Sequence, residues 1–310
     1  MLDAMVRQWL GARPLRTEGP GPRGDGPDGS LLARIAGATA LNEGWRRVRA
    51  NKGGPGADGV TIRAFERHLA RNLDDLGEAL LSGRYRPGRL RRVVIAKPGG
   101  GRRRLAIPGI RDRVAQTAAL VVIGPQLDRR MSEASFAYRP GRGVDDAIAA
   151  VQAGFAAGRT WTLDGDVTRF FDRVPHRRLI EELAIWLDDG AVLALFALWL
   201  RSFSRFGRGI AQGSPVSPLL ANLFLHPVDR LAAAAGCLLL RYADDFVALA
   251  ATEQEIAAAQ AVIAAALKRR GLALNTIKTQ VVPPGQAFTF LGRSLTAPAS
   301  APPPAAGRRG

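Results

Sequence analysis

The stretch Leu238-Leu239-Leu240-Arg241-Tyr242-Ala243-Asp244-Asp245-Phe246-Val247-Ala248-Leu249 constrains this chain more than any other. Apolar runs lie on both sides of a short polar break, which reads as the two strands of a buried β-hairpin. Two adjacent carboxylates stand at its tip. Burying them unpaired would cost on the order of several kcal/mol. They call for a cation, and hard oxygen ligands suit Mg²⁺ or Mn²⁺. The alternative is a solvated turn, where Asp is common because its side chain bonds its own backbone. The hairpin alone does not decide between the two.

Charge narrows the choice. Lys and Arg total 44 against 27 Asp and Glu, a net charge of +17. A chain this basic meets a polyanion, and nucleic acid is the first candidate. A high-GC genome would also raise the arginine count. At 310 residues and 47% hydrophobic the chain has room for about two domain-sized units with a real core. Cys237 is the only cysteine, so no intramolecular disulfide forms. With His68, His176 and His226 it cannot build a Cys₄ or Cys₂His₂ zinc site. No apolar run is long enough to span a membrane, and the N-terminus lacks the pattern of a signal peptide. The expected location is cytoplasmic, with no membrane partner.

Residues 1–50 read as an N-terminal extension: a Gly/Pro-rich flexible linker over 11–30, then a helix over 31–50. A glycine-rich loop follows, Asn51 to Gly59, then helical spacing over 61–82. From Arg84 to Arg104 there are nine basic residues and no acid. Val93-Val94-Ile95 and Leu105-Ala106-Ile107 read as strands around a turn at 98–101, which makes a basic hairpin. It is either a solvated face or a way to present Lys and Arg to phosphates. Helices are expected over 111–131 and 144–157, with a turn-rich loop at 135–143 between them. Trp161-Thr162-Leu163 reads as a strand running into Asp164-Gly165-Asp166-Val167.

Further on, 188–200 and 217–233 read as apolar helices around the turn Gln212-Gly213-Ser214-Pro215. Thr252 and Glu255 make a capping box for a helix ending near Arg270. Leu272–Leu274, Val281-Val282 and Phe288–Leu291 read as short strands, and residues 296–310 as a disordered Pro/Ala-rich tail. The order strand, helices, hairpin, helix, strand suits an α+β fold, an antiparallel sheet with helices on one face. In such a sheet the Trp161 strand can end beside the hairpin tip, so Asp166 stands next to Asp244 and Asp245. Three close carboxylates can hold two divalent ions about 3.5–4 Å apart, as phosphoryl transfer requires. On its own, Asp166 is equally a helix-cap or turn aspartate.

At these residues the chain resembles a reverse transcriptase, and is most similar to the bacterial group-II-intron type, over about residues 51–295. Tyr242-Ala243-Asp244-Asp245 resembles the family's catalytic hairpin, and Asp166 through Asp172 its first metal-binding motif. Gln212-Gly213-Ser214-Pro215 with Ser217 to Asn222 resembles its nucleotide and template motif. Ile107-Pro108 with Asp112-Arg113-Val114-Ala115-Gln116 resembles an early fingers motif. Lys278-Thr279 and Phe290-Leu291-Gly292 resemble the last palm motifs, and Gly56 to Val60 the segment before the fingers.

The resemblance implies a right-hand polymerase, with fingers over about 51–158 and a palm over about 159–295, the palm an antiparallel sheet backed by helices. It implies RNA-directed DNA synthesis with two Mg²⁺ (or Mn²⁺) ions. Asp166, Asp244, Asp245 and the Val167 carbonyl would hold the metals. Lys278 would be a general acid. Lys97 and Arg103 would hold the triphosphate, Phe171 would be the gate against a ribose 2′-hydroxyl, and Gln212 would touch the incoming dNTP. Arg113, Arg139, Arg142 and Gly213 would contact nucleic acid. The partners implied are an RNA template, a DNA or RNA primer and dNTPs, with intron RNA or CRISPR adaptation proteins beyond them. The form Ser135 to Arg142 is also seen in CRISPR-linked members. Intron-encoded relatives continue into a thumb and sometimes an endonuclease, and neither is expected here. The competing class is an RNA-binding, maturase-like factor or defence-complex subunit with little or no polymerase activity.

Overall fold

The structure is a computed structural model and describes residues 30–96 and 102–299. Lys97, the expected 98–101 turn, the Gly/Pro-rich arm before residue 30 and the tail beyond 299 lie outside the described residues. In chain order the elements are α1 (Leu31–Ala36), α2 (Ala38–Ala50), α3 (Ile62–Glu66), α4 (Leu69–Leu81), β1 (Arg91–Ala96), β2 (Arg102–Ile107), α5 (Ile110–Asp128), α6 (Val144–Ala156) and β3 (Trp161–Asp166). They continue with α7 (Phe170–Arg173), α8 (His176–Trp186), α9 (Gly190–Phe203), α10 (Ser217–Ala234), β4 (Leu238–Tyr242), β5 (Asp245–Ala250), α11 (Glu253–Arg269), β6 (Gln280–Val282), β7 (Ala287–Phe290) and β8 (Arg293–Thr296). The described residues form two compact units: one from those up to Arg130 with Phe171–Leu223, the other from Met131–Phe170 with those from Phe224 on. Among the described residues no helix is long and apolar enough to cross a membrane.

The first unit is built around α5. This helix is buried along most of its length, from Ile110 through Val114, Ala118 and Ile123 to Leu127. A helix buried on every side must be covered on every side, and the polar residues it buries, Asp112 and Arg113 among them, need partners. Alanines at 115, 118 and 119 leave room for α2 to come close. Gly44 of α2 makes that approach possible: a Cβ there would stand 2.8 Å from the Val114 carbonyl oxygen. A buried polar set ties the same core together. The Tyr85 hydroxyl donates to Asp112 Oδ1 at 2.6 Å, the Gly88 amide donates to Asp112 Oδ2 at 2.9 Å, and Trp199 Nε1 donates to the Tyr85 oxygen at 3.1 Å. β1 and β2 pair as the expected basic hairpin, Arg91 opposite Ile107 and Val94 opposite Arg104. The 61–82 stretch is two helices rather than one, broken at residues 67–68.

The second unit holds a four-stranded antiparallel sheet in the order β4-β5-β3-β6. Residues of β5 take alternate sides. Val247 and Leu249 join Leu240, Val282 and Phe155 of α6 in one core, which the β7–β8 hairpin closes with Phe288, Phe290 and Leu295. The intervening Phe246, Ala248 and Ala250 are buried too. Covering helices therefore lie on both faces, not on one as the strand order suggested. The reason is legible in β4 and β5, whose apolar residues run continuously instead of alternating with polar ones, the pattern of a sheet buried on both sides. α11 starts at the anticipated capping box, with the Glu255 amide donating to Thr252 Oγ1 at 3.2 Å. The expected strand at 272–274 shrinks to a single bridge between Leu274 and Val167, because Asn275 turns the chain at once. The strand β8 had no counterpart in the sequence reading.

Candidate active site

The β4–β5 hairpin closes with Tyr242 opposite Asp245, so only Ala243 and Asp244 form its loop. Ala243 has φ +61°. A two-residue hairpin turn of the II′ kind needs a positive φ at its first loop position, where glycine is the usual choice. An alanine there carries strain of roughly 1 kcal/mol. Beneath the turn, on the face opposite Tyr242, Arg241 points into the core. Its Nε and Nη2 donate to the two carboxylate oxygens of Asp229 on α10, each at 2.7 Å. These side chains are 3% and 0% exposed. Arg241 Nη1 donates to the Ala243 carbonyl at 3.0 Å, so the buried guanidinium grips the strained turn from below.

On the other face, β3 runs antiparallel to β5 with Asp166 directly opposite Asp245. Like charges in that position repel. The two carboxyls lie within hydrogen-bond reach. Burial, then the charges of Asp244 and Asp166, push the Asp245 carboxyl up to about 7, while Lys278 pulls the other way. The residue keeps a solvent-exposed edge even so. Asp166 is held from the β6 side. Asn275 Nδ2 donates to Asp166 Oδ2 at 2.8 Å, the Asn275 amide donates to the Asp166 carbonyl at 2.8 Å, and Lys278 Nζ stands 3.5 Å from Asp166 Oδ1. One residue pair back on the same face, Asp164 is also raised, by burial first and by the Asp166 charge, against a hydrogen bond from Gln280.

Two facing carboxyls, one of them driven toward protonation, are the chemistry of a hard-cation site whose charge is uncompensated. Asp166 and Asp245 fit such an ion. Among the described residues, however, no three His, Cys, Asp or Glu side chains stand together in a metal-holding arrangement. Asp244 is next to the pair in sequence and acts on Asp245 by its charge.

A family model described as reverse transcriptase (RNA-dependent DNA polymerase) matches residues 95–295. The chain belongs to that family. It is 31% identical to Protein YkfC of Escherichia coli (strain K12), over 86% of this chain and 82% of that one. It is 26% identical to the group II intron-encoded protein LtrA of Lactococcus lactis subsp. cremoris, over 60% of this chain and 32% of LtrA. The chain thus spans about a third of that relative's length. Among solved structures it resembles the telomerase of Candida albicans with a fragment of telomeric RNA, at a TM-score of 0.53 and 12% identity, covering 77% of this chain and 49% of the other. That likeness is one of fold.

The remaining residues singled out in the sequence of this reverse transcriptase-family chain fall as follows. Val167 is buried and bridges to Leu274. In the first unit, Phe171 is half-buried in α7, and its carbonyl accepts from the Ile210 amide at 2.7 Å. Gln212 is half-buried, and its carbonyl accepts from the Ala106 amide at 2.7 Å, which stitches the Gln212–Pro215 turn to β2. Gly213 has φ +114°, and a Cβ there would come within 3.2 Å of the Ala106 oxygen. Arg103 is exposed on β2 opposite Ile95.

Three arginines are turned inward. Arg113 is 8% exposed and donates to the Gly54 carbonyl of the glycine-rich loop at 2.6 Å. Arg139 is 9% exposed and donates to the carbonyls of Ser132 and Ser135. Arg142 pairs with Glu133 and lies over the Phe136 ring. Arg139 and Arg142 bind their own loop, Arg113 binds a loop 59 residues earlier, and Arg113 and Arg139 offer little guanidinium to an outside phosphate. Arg241, Asp229 and Asn275 are not among the residues the sequence singles out. A lone arginine in an apolar strand and a lone aspartate in an apolar helix were the available signal for the first two, since a buried charge needs a partner.

Proposed function

We propose that the chain is an RNA-directed DNA polymerase that extends a primer 3′-hydroxyl with dNTPs on an RNA template. The supporting observation is the pairing of Asp166 with Asp245 at the hairpin tip, with Lys278 3.5 Å from Asp166. Asp166, Asp245 and Asp244, with the Val167 carbonyl, would hold the divalent ions. When bound, two Mg²⁺ or Mn²⁺ ions supply the charge neutralisation that the attacking 3′-oxygen and the leaving pyrophosphate need.

The protein's own part is positional. Asn275 fixes the Asp166 carboxylate, and the Arg241–Asp229 pair fixes the turn that carries Asp244. Lys278 gives a proton to the leaving pyrophosphate. Phe171 excludes a ribose 2′-hydroxyl by bulk, Gln212 contacts the incoming nucleotide, and Lys97 with Arg103 hold its triphosphate. In this reading residues 51–158 are the fingers and 159–295 the palm of a cytoplasmic enzyme, with 1–50 an extension and 296–310 a tail.

The test is dNTP incorporation on a primed RNA template with Mg²⁺ or Mn²⁺. Asp244→Ala abolishes incorporation if the assignment holds, and activity that survives the change overturns it. Phe171→Ala raises ribonucleotide incorporation relative to the wild type, and unchanged sugar selectivity removes the gate.

One observation favours a second reading, an RNA-binding, maturase-like factor or defence-complex subunit that meets intron RNA or CRISPR adaptation proteins. Among the described residues the carboxylates do not stand as a three-membered metal cluster. Tight RNA binding that persists in Asp166→Ala, in a chain with no incorporation, identifies that reading.

A further inference from the structure

The loop from Ser204 to Ala211 joins α9 to the Gln212 turn and carries Phe206 at its bend. Phe206 is 75% exposed, the most exposed aromatic ring among the described residues. The loop is nonetheless pinned. The Gly207 carbonyl accepts from the His176 amide at 2.9 Å, and the Gly209 carbonyl meets His176 Nε2 at 2.7 Å. The Gly209 amide donates to the Val174 carbonyl at 2.8 Å, and the Ile210 amide donates to the Phe171 carbonyl at 2.7 Å. His176 itself is buried. Phe206 is therefore held outward by a rigid base, since its loop is anchored on the following side by four contacts.

Phe206 lines a cleft of about 790 Å³ in the first unit, which also takes in Phe171 and Gln212 of the proposed nucleotide contacts. Arginines at 92, 104, 201, 205 and 208 line it, with Asp172 as the only acid among the described residues. Arg205 lies 5.1 Å from the centre of the Phe206 ring. Val94 of β1, 56% exposed, adds an apolar wall. An exposed flat ring among cations, with an apolar wall beside it, matches what an unpaired polynucleotide strand offers: π-faces at the bases and negative charge at the phosphates. A folded protein partner would want the apolar surface contiguous and the charge mixed, and here the charge is nearly all of one sign.

We infer that this cleft seats an unpaired nucleic-acid strand, with one base stacked on Phe206 and its flanking phosphates on Arg205 and Arg208. The inference rests on the polymerase reading and deepens it, naming where the single-stranded template lies. Because the strand is read by stacking and charge, the seat is tolerant of sequence and selective against paired bases, whose faces are already covered.

The test is anisotropy of a short labelled oligouridylate with the full chain, without dNTPs or divalent ions, so that it is independent of incorporation. Phe206→Ala weakens binding about 5- to 160-fold, the range for loss of one stacking ring. Phe206→Trp keeps the affinity within about 2-fold and Phe206→Leu behaves like alanine, because a leucine is apolar but cannot stack. Affinity for a blunt RNA duplex stays unchanged in all three. Arg205→Gln with Arg208→Gln flattens the slope of log affinity on log salt by about 1.4.

Wild-type affinity in Phe206→Ala, equal losses for duplex and single strand, or full rescue by leucine each overturn the stacking seat. An unchanged salt slope overturns the phosphate contacts. Since Phe206 is exposed, an unchanged melting temperature certifies each variant as folded. Oligothymidylate run in parallel tells whether the strand is RNA or DNA. A binding defect in a chain that fails to incorporate dNTPs supports the seat while removing the polymerase reading; incorporation with no binding defect does the reverse.

Discussion

The two faces of the β4–β5 hairpin treat charge in opposite ways. Below the turn, Arg241 and Asp229 are fully buried and complement each other through two 2.7 Å hydrogen bonds. Above it, Asp166 and Asp245 are like charges in direct opposition, with Lys278 at 3.5 Å as a partial counterweight. Only the lower pair is complete without help. The contrast shows a division of labour across one sheet. A satisfied ion pair holds the backbone of the turn, and the rigid turn then keeps mutually repelling carboxylates where relaxation would otherwise separate them. A site that binds a cation must be incomplete in its absence, and that incompleteness has to be held in place by something that is not.

The sharpest way to break this contrast is to remove one lower partner. Asp229→Ala leaves Arg241 buried and uncompensated, and urea unfolding should show a loss of about 3–5 kcal/mol. The pair exchange Arg241→Met with Asp229→Leu should recover most of that, within about 2 kcal/mol of the wild type, because a buried pair replaced by apolar residues is often neutral. Incorporation should stay impaired in the exchange, since the Ala243 carbonyl has lost its donor. Full activity in the stable double variant would reduce the lower pair to packing.

The upper pair makes the opposite prediction. In EDTA, Asp245→Asn removes a repulsion and should raise stability by about 1 kcal/mol or less, discounted because the residue is partly solvated. The sign with pH follows. The folded-state Asp245 is raised from an ordinary value of 3.8 to about 7. The native state therefore binds the extra proton between those limits, and stability falls as pH rises through that window. The asparagine variant should flatten this part of the profile. Adding Mg²⁺ at about tenfold its Kd should stabilise the wild type by about 1.4 kcal/mol. Asp166→Asn and Asp245→Asn should lose that response in a thermal shift. A wild type indifferent to Mg²⁺ would dissolve the distinction between the faces.

Much of this was legible in the chain. The continuous apolar strands around Asp244 and Asp245 declared a buried hairpin, and the strand ending at Asp166 declared its neighbour. The capping box at Thr252 and Glu255 fixed a helix start because both partners are local. Register was also within reach: the side-chain period along a strand is two, so once Asp166 and Asp245 pair, every other residue follows. What the sequence hid was non-local compensation. Nothing near Arg113 shows that its guanidinium group turns to the Gly54 carbonyl, because that loop, 59 residues earlier, comes to it only on folding. Asn275 was missed for the same reason, since its partner Asp166 lies 109 residues earlier. Coverage of both faces of the sheet was written in the apolar residues of β5 but outweighed by the order of the elements.

The smallest effect is also the most discriminating about the turn. Ala243→Gly relieves a positive φ that costs roughly 1 kcal/mol in alanine. It also loosens the unfolded chain by about 0.4–1 kcal/mol and removes a buried methyl worth about 0.8 kcal/mol. These oppose each other, so stability should move by no more than about 1 kcal/mol. Incorporation should fall several-fold, because glycine lets the tip sample backbone angles that the alanine, gripped by Arg241, does not. If the rigid lower face is what keeps the upper carboxylates opposed, the loss should be larger in the Arg241→Met and Asp229→Leu background, where the carbonyl is no longer held. Equal losses in both backgrounds would mean that the turn keeps its shape by itself and that the buried pair serves only the core.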